Sequence, residues 1–160
     1  MYIVPALCVI LALLAVVGLM GLTRIPEGQV YSVRRWHRDA QVLMPGWHYL
    51  LPLLDRVVHK ISLAGHTLSV EEPLALGASA VMRTVQGRVY WQVLEPDRAD
   101  AVIDRADELI RRRALDAFCT TENPDDEPCP ARNARLKHAL NQSLRARGML
   151  ITRVDLSLAA

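Results

Sequence analysis

From Tyr2 to Leu22 the chain runs for 21 residues without a charge, an amide or, after Tyr2 itself, a hydroxyl. As a helix such a run spans about 30 Å at 1.5 Å per residue, the hydrocarbon thickness of a bilayer. Pro5 falls in the first turns, where its missing N–H does least harm. No Lys or Arg precedes the run, it exceeds the apolar core of a secretory signal, and no A-x-A cleavage site follows it. Residues 1–23 are therefore expected to form an uncleaved transmembrane anchor. Arg24, Arg34, Arg35 and Arg38 follow it while only the terminal amine precedes it, so the positive-inside rule places the remaining domain on the cytoplasmic side of the cell (inner) membrane.

Without the first 22 residues, 138 remain with about 46% apolar content, an ordinary soluble composition able to bury one core. That excludes a disordered chain, a fibrous one and a polytopic membrane protein. Residues 24–160 are expected to form one domain. Its first half reads as strands. Val57, His59, Ile61 and Leu63 alternate with Arg56, Val58, Lys60 and Ser62. Val81, Val85, Gly87, Val89, Trp91 and Val93 alternate with Met82, Thr84, Gln86, Arg88, Tyr90 and Gln92, with Arg83 the misfit on the apolar side. Pro45-Gly46 and Glu72-Pro73 read as turns.

After Glu95-Pro96, with Asp97 as a cap, the spacing of Val102, Ile103, Ala106, Leu109, Ile110, Ala114 and Ala117 predicts an amphipathic helix from Ala99. Asp107–Arg111 and Glu108–Arg112 stand four apart on it in the favourable order. A proline-bearing acidic loop, reaching from Cys119 to Pro130, leads to a second helix from about Arg132 to Arg147. Leu136, Leu140 and Leu144 lie on one face of that helix, and Gly148 follows as a C-cap. Met149 to Leu158 reads as a last strand with Leu150, Thr152, Val154, Leu156 and Leu158 alternating. The fold class is α+β: an N-terminal transmembrane helix, an antiparallel sheet, two helices and a final strand.

Chemistry is sparse. His37, His48, His59, His66 and His138 form no metal motif, and Cys119, Cys129 and His138 lack the close pair that begins chelation in zinc sites. There is no G-x-S-x-G, Walker A or G-x-G-x-x-G. No catalytic residue, cofactor site or metal site is expected, and the chain is read as a non-enzyme. A small membrane-tethered hydrolase built from dispersed groups such as His48, His59 and Asp55 is the enzymatic alternative. Arg132, Arg135, Lys137, Arg145, Arg147 and Arg153 occupy a stretch without acids, which reads as a surface for anionic headgroups or as a solvated face balanced by neighbouring acids. The net charge of +2 and the absence of interleaved aromatics argue against nucleic acid.

The order of elements resembles one family. Ile25-Pro26-Glu27-Gly28-Gln29-Val30 directly after an anchor is similar to the opening of the stomatin/prohibitin/flotillin/HflK-C domain, also called SPFH or Band 7. Val33-Arg34-Arg35-Trp36 lies where that family has an arginine-aromatic-glycine strand, with His37 in the glycine's place. The segment from Leu43 through Pro45-Gly46-Trp47-His48, Pro52 and Asp55 to Val57 resembles its Pro-Gly-x-His, Pro, Asp pattern. Val89 to Pro96 resembles its strand-to-helix junction, and Arg147 to Leu156 its closing Gly-Ile strand. Leu76 to Val81 departs from the family's Thr/Ser-x-Asp-Gly stretch. The chain also ends at Ala160, where most members continue into a coiled-coil helix, so it resembles a short, stomatin-like form.

The resemblance implies a non-enzymatic, single-pass membrane scaffold or regulator. It would oligomerise with itself or other SPFH proteins, organise lipids or membrane proteins, and modulate a membrane AAA protease in membrane protein quality control. An accessory subunit of a longer SPFH protein is the alternative within the same family. Trp36, Trp47 and Tyr49 are the aromatic residues expected at headgroup level, with core packing as their competing role.

Overall fold

In a computed structural model of the protein, residues 3–35, 40–51, 54–76, 81–120 and 127–158 are described. They divide into two compact units, residues 1–62 and 63–160.

The first unit opens with helix α1, Ile3–Met20. Among the described residues no helix is long and apolar enough to cross a membrane; positions 14, 17, 19 and 20 of α1 lie outside the described side chains. The helix is shorter than the apolar run, because the chain turns at Gly21 and Leu22 already begins a strand. Five strands follow: β1 (Leu22–Ile25), β2 (Gln29–Arg35), β3 (Ala40–Leu43), β4 (Gly46–Tyr49) and β5 (Asp55–Ser62). β1 pairs with β4 as a two-stranded antiparallel ribbon, and β2 lies between β3 and β5 in a second sheet. Ile25, Tyr31 and Val33 form a small core that Leu43, Leu50 and Val57 complete. β5 keeps the expected alternation, with Val57, His59 and Ile61 inward and Arg56, Val58 and Lys60 outward.

The second unit is a three-stranded sheet in the order β6 (His66–Leu76), β7 (Val81–Val93), β8 (Met149–Leu158), all antiparallel. Leu68, Val70, Val85, Val89, Trp91 and Val93 face its core. Helices α3 (Ala106–Cys119) and α4 (Cys129–Leu144) add Ala106, Ile110, Ala114 and Phe118 from the first, and Leu136, Leu140 and Leu144 from the second.

Four expectations change. Glu72-Pro73 is not a turn but lies inside β6, opposite Val85 and Thr84. β6 is an edge strand in this order, which is where a residue without an N–H is tolerated. The first helix is broken into α2 (Pro96–Ala99), a 3₁₀ turn over Ile103–Arg105, and α3. Pro96 takes the first helical position after Glu95, so Asp97 sits inside α2 rather than capping it. On α3, Glu108 bonds Arg112 as expected, while Arg111 turns to Glu108 and Glu72.

The final strand has the expected bounds, but its buried side chains are Met149, Ile151, Val154 and Leu156. A register shift opposite Tyr90 and Trp91 inserts one extra residue in β8, and an inserted residue flips the strand's alternation. The fourth change concerns the basic stretch. Within it Arg132 is only 3% exposed, against the Phe118 ring, rather than on the surface, whereas the Arg135–Glu127 and Arg153–Asp155 pairs fit the alternative of a face balanced by neighbouring acids.

Candidate functional site

The site with the clearest construction is the junction between α1 and the β1–β4 ribbon. Four-residue strands are too short to stand alone, and this ribbon is held by its neighbours. Gly21 is the single residue between α1 and β1. Its carbonyl accepts from the Leu50 N–H at 2.7 Å, and its N–H donates to the Gly18 carbonyl at 3.3 Å. A side chain at Gly21 would stand 2.8 Å from the Tyr49 ring and 2.7 Å from the Leu50 carbonyl, so the helix end and β4 are in backbone contact.

The register then sorts the ribbon's side chains. Leu22 lies opposite Tyr49, and Arg24 opposite Trp47. Cross-strand partners share a face. One face therefore carries Leu22, Arg24, Trp47 and Tyr49, and the other carries Thr23, Ile25, Gly46 and His48. The first face is open: Leu22 is 53% exposed, Trp47 63% and Tyr49 51%. The Arg24 guanidinium lies 5.7 Å from the Trp47 ring centroid, a cation–π pair at the edge of this apolar plate. On the opposite face Ile25 is buried, and His48 Nε2 lies 2.8 Å from the Met44 carbonyl oxygen.

A second set of bonds fixes the ribbon to the β2–β5 sheet. Arg35 donates to Asp55 through Nε at 2.6 Å and Nη2 at 2.9 Å, and the Leu51 N–H donates to Asp55 Oδ2 at 3.0 Å. The Arg35 hydrogen bonds hold the Asp55 carboxyl at about 2, below its ordinary 3.8; desolvation opposes this and the Leu51 N–H adds to it. The Asp55 N–H donates in turn to the Leu51 carbonyl at 2.8 Å. A hydrogen-bonded path thus runs from Gly21 through Leu50 and Leu51 to Asp55 and Arg35. The open aromatic face is thereby tied through the backbone to the end of α1.

Of the three aromatic residues expected near the anchor, Trp47 and Tyr49 share this face, and Trp36 lies outside the described residues. Leu22 and Arg24 were not among the expected site residues. Pairing between two short strands more than twenty residues apart leaves no periodic signal, so only the register reveals them.

Of the groups considered for an enzymatic reading, His59 lies on the inward face of β5, the same face as Asp55, and the other two are held by separate partners. Asp55 is taken up by Arg35 and Leu51, and His48 sits against the Met44 carbonyl. His66 stacks on Trp91 at 4.6 Å, and His138 contacts Gln142 at 3.2 Å. His37 lies outside the described residues. Among the described residues no three His, Cys, Asp or Glu side chains gather as a metal site. A shallow hollow on the second unit is lined by Glu72, Arg88 and Arg111, and two of these already pair with each other.

The model of the SPFH domain / Band 7 family matches residues 23–121. An uncharacterized protein of Schizosaccharomyces pombe is 29% identical over 90 residues, 56% of this chain and 25% of its own length. The mitochondrial stomatin-like protein 2 of Homo sapiens is 26% identical over 90 residues, again 56% of this chain and 25% of that protein. A stomatin-like protein of Caenorhabditis elegans is 25% identical over 80 residues, half of this chain and a quarter of its own. The matched region spans about a quarter of the length of these relatives.

Proposed function

The chain belongs to the SPFH / Band 7 family, and from that premise we propose that it is a non-enzymatic membrane scaffold, anchored by α1 and seated on the bilayer by the β1–β4 ribbon. The observation that carries this reading is the junction between α1 and the ribbon. An uncharged helix of 18 residues, about 27 Å long, is joined through one glycine to an exposed Leu-Trp-Tyr face. What supports the anchor is the uncharged run that α1 belongs to, Tyr2–Leu22, whose 21 residues have the apolar length of a span. Trp and Tyr are favoured where an apolar ring meets a wet headgroup layer, and Arg24 beside Trp47 suits the phosphate level of the same layer.

Anchoring confines the domain to two dimensions, which raises its effective concentration toward other membrane-bound chains. In this reading it oligomerises with itself or longer SPFH proteins and organises or regulates membrane partners, a membrane AAA protease among them. Arg24, Arg34 and Arg35 directly after α1 support a cytoplasmic face for the domain.

Alkaline carbonate extraction of membranes carrying the full chain tests the anchor. The protein stays in the membrane pellet, and Ile10→Arg together with Leu13→Arg, both on exposed positions of α1, moves it to the supernatant. Release of the unsubstituted chain overturns the anchor.

A further inference from the structure

The helix pair of the second unit carries a feature that the scaffold reading does not use. Cys119 is the last residue of α3 and Cys129 the first of α4, and both are exposed free thiols. The ends of the two helices are brought together by one buried contact. The Arg132 guanidinium carbon lies 5.2 Å from the Phe118 ring centroid, and Phe118 directly precedes Cys119. The same guanidinium donates from Nη2 to Cys129 Sγ at 3.2 Å. Arg132, 97% withdrawn from solvent, therefore joins the last turn of α3 to the thiol that opens α4.

We propose that Cys119 and Cys129 are a dithiol modification site that closes to an intramolecular disulfide on reaction with a low-molecular-weight disulfide. Each thiol is a terminal residue of its helix, and the Phe118–Arg132 contact sets those two helix ends beside each other. Cys129 is the attacking sulfur. The Arg132 guanidinium donates to its sulfur, whereas the contact at the α3 end falls on the Phe118 ring rather than on Cys119.

The exchange runs in two balanced steps. Cys129 loses its proton to solvent and attacks one sulfur of the oxidant, forming a mixed disulfide and expelling one thiolate. Cys119, likewise deprotonated, then attacks Cys129 Sγ, forming the Cys119–Cys129 bond and expelling the second thiolate. Two protein thiols lose two electrons and two protons, and one small disulfide becomes two thiols. Cys8, on α1 in the other unit, takes no part. The closed form ties the last residue of α3 to the first of α4.

The full chain in detergent is treated with oxidised glutathione, acid-quenched, blocked with N-ethylmaleimide and mapped by mass spectrometry. The expected product is a monomer that has lost two hydrogens, with residues 119 and 129 cross-linked and Cys8 alkylated. Cys119→Ser stops at a glutathione adduct on Cys129, and Cys8→Ser still yields the cross-link. Stable glutathione adducts on both Cys119 and Cys129 of the unsubstituted chain, disulfide-linked dimers through either residue, or full alkylation of all three thiols would each overturn the proposal.

Discussion

Arg35 grips Asp55 with two hydrogen bonds, at 2.6 and 2.9 Å, while the carboxylate is 1% exposed and also accepts from the Leu51 N–H. This places a buried acceptor at the hinge between the β2–β5 sheet and the segment that reaches back to Gly21. Besides joining two strands, the pair holds the Leu51 amide, next in the chain to the Leu50 amide that bonds Gly21.

The grip gives the protein an acid dependence of known sign. Asp55 sits at about 2 in the fold against an ordinary 3.8, so the unfolded carboxyl takes up its proton first. The stability that Asp55 contributes is complete above about pH 4 and is lost as the pH falls through about 2. Urea unfolding followed across this range should show that loss in the unsubstituted chain. Asp55→Asn should lower the midpoint at neutral pH and show less of the acid loss, because it no longer has the carboxyl that titrates.

Three glycines grade the cost of a side chain. Gly65 has open space around it, Gly28 has open space but a φ of 81°, and at Gly87, with φ 154°, a Cβ would run into the Asp155 carbonyl of β8. Replacement by Ala should cost little at 65 and about 1 kcal/mol at 28 for the left-handed backbone. At 87 it should cost more than about 2 kcal/mol, since β7 and β8 can no longer close at their register. Thermal unfolding of the three variants tests the order. An Ala at 87 no worse than the one at 28 would contradict the backbone contact.

One edge of the second sheet is sealed by amides. Asn141 of α4 donates to the Ile151 carbonyl at 3.1 Å and accepts the Ile151 N–H at 2.8 Å, and Asn133 accepts the Leu156 N–H at 3.3 Å. Asn141→Leu leaves both groups of Ile151 without these partners, at a cost of about 1–3 kcal/mol. Hydrogen exchange should accelerate first at the Ile151 amide, and the freed strand edge should raise the tendency to associate at high concentration.

Much of this fold was legible from residue order, and the exceptions have physical causes. The alternation in β5 and the Leu136, Leu140, Leu144 stripe of α4 were readable because one face of each element meets a core and the other meets water. The β8 alternation was not, since the extra residue sits opposite Tyr90 and Trp91 in a different part of the chain. Pro73 read as a turn because Pro excludes central strands, and its edge position is a property of the sheet rather than of the segment. Arg132 read as a surface charge, whereas Phe118 and Cys129 hold it inside. At the candidate site, Trp47 and Tyr49 stood out by type, while Leu22 and Arg24 joined them only through strand register.

If the ribbon lies in the headgroup layer, charges on its open face should weaken the membrane seating without unfolding the core behind it. Trp47→Glu with Tyr49→Glu leaves Ile25, Tyr31 and Val33 untouched. Circular dichroism should be unchanged, while limited proteolysis of liposome-bound protein should cut the ribbon faster than in the unsubstituted chain.

The depth of Trp47 is the most direct measure of the account. The full chain is reconstituted in phosphatidylcholine liposomes whose lipids carry bromines at graded depths, and tryptophan quenching is compared with that of Trp47→Phe. The account predicts co-flotation with the lipid and a quenched component, strongest for bromines near the glycerol level, that disappears in the variant. Flotation with no Trp47-dependent quenching would leave α1 as the anchor and remove the ribbon from the bilayer, and failure to float would contradict the membrane reading as a whole.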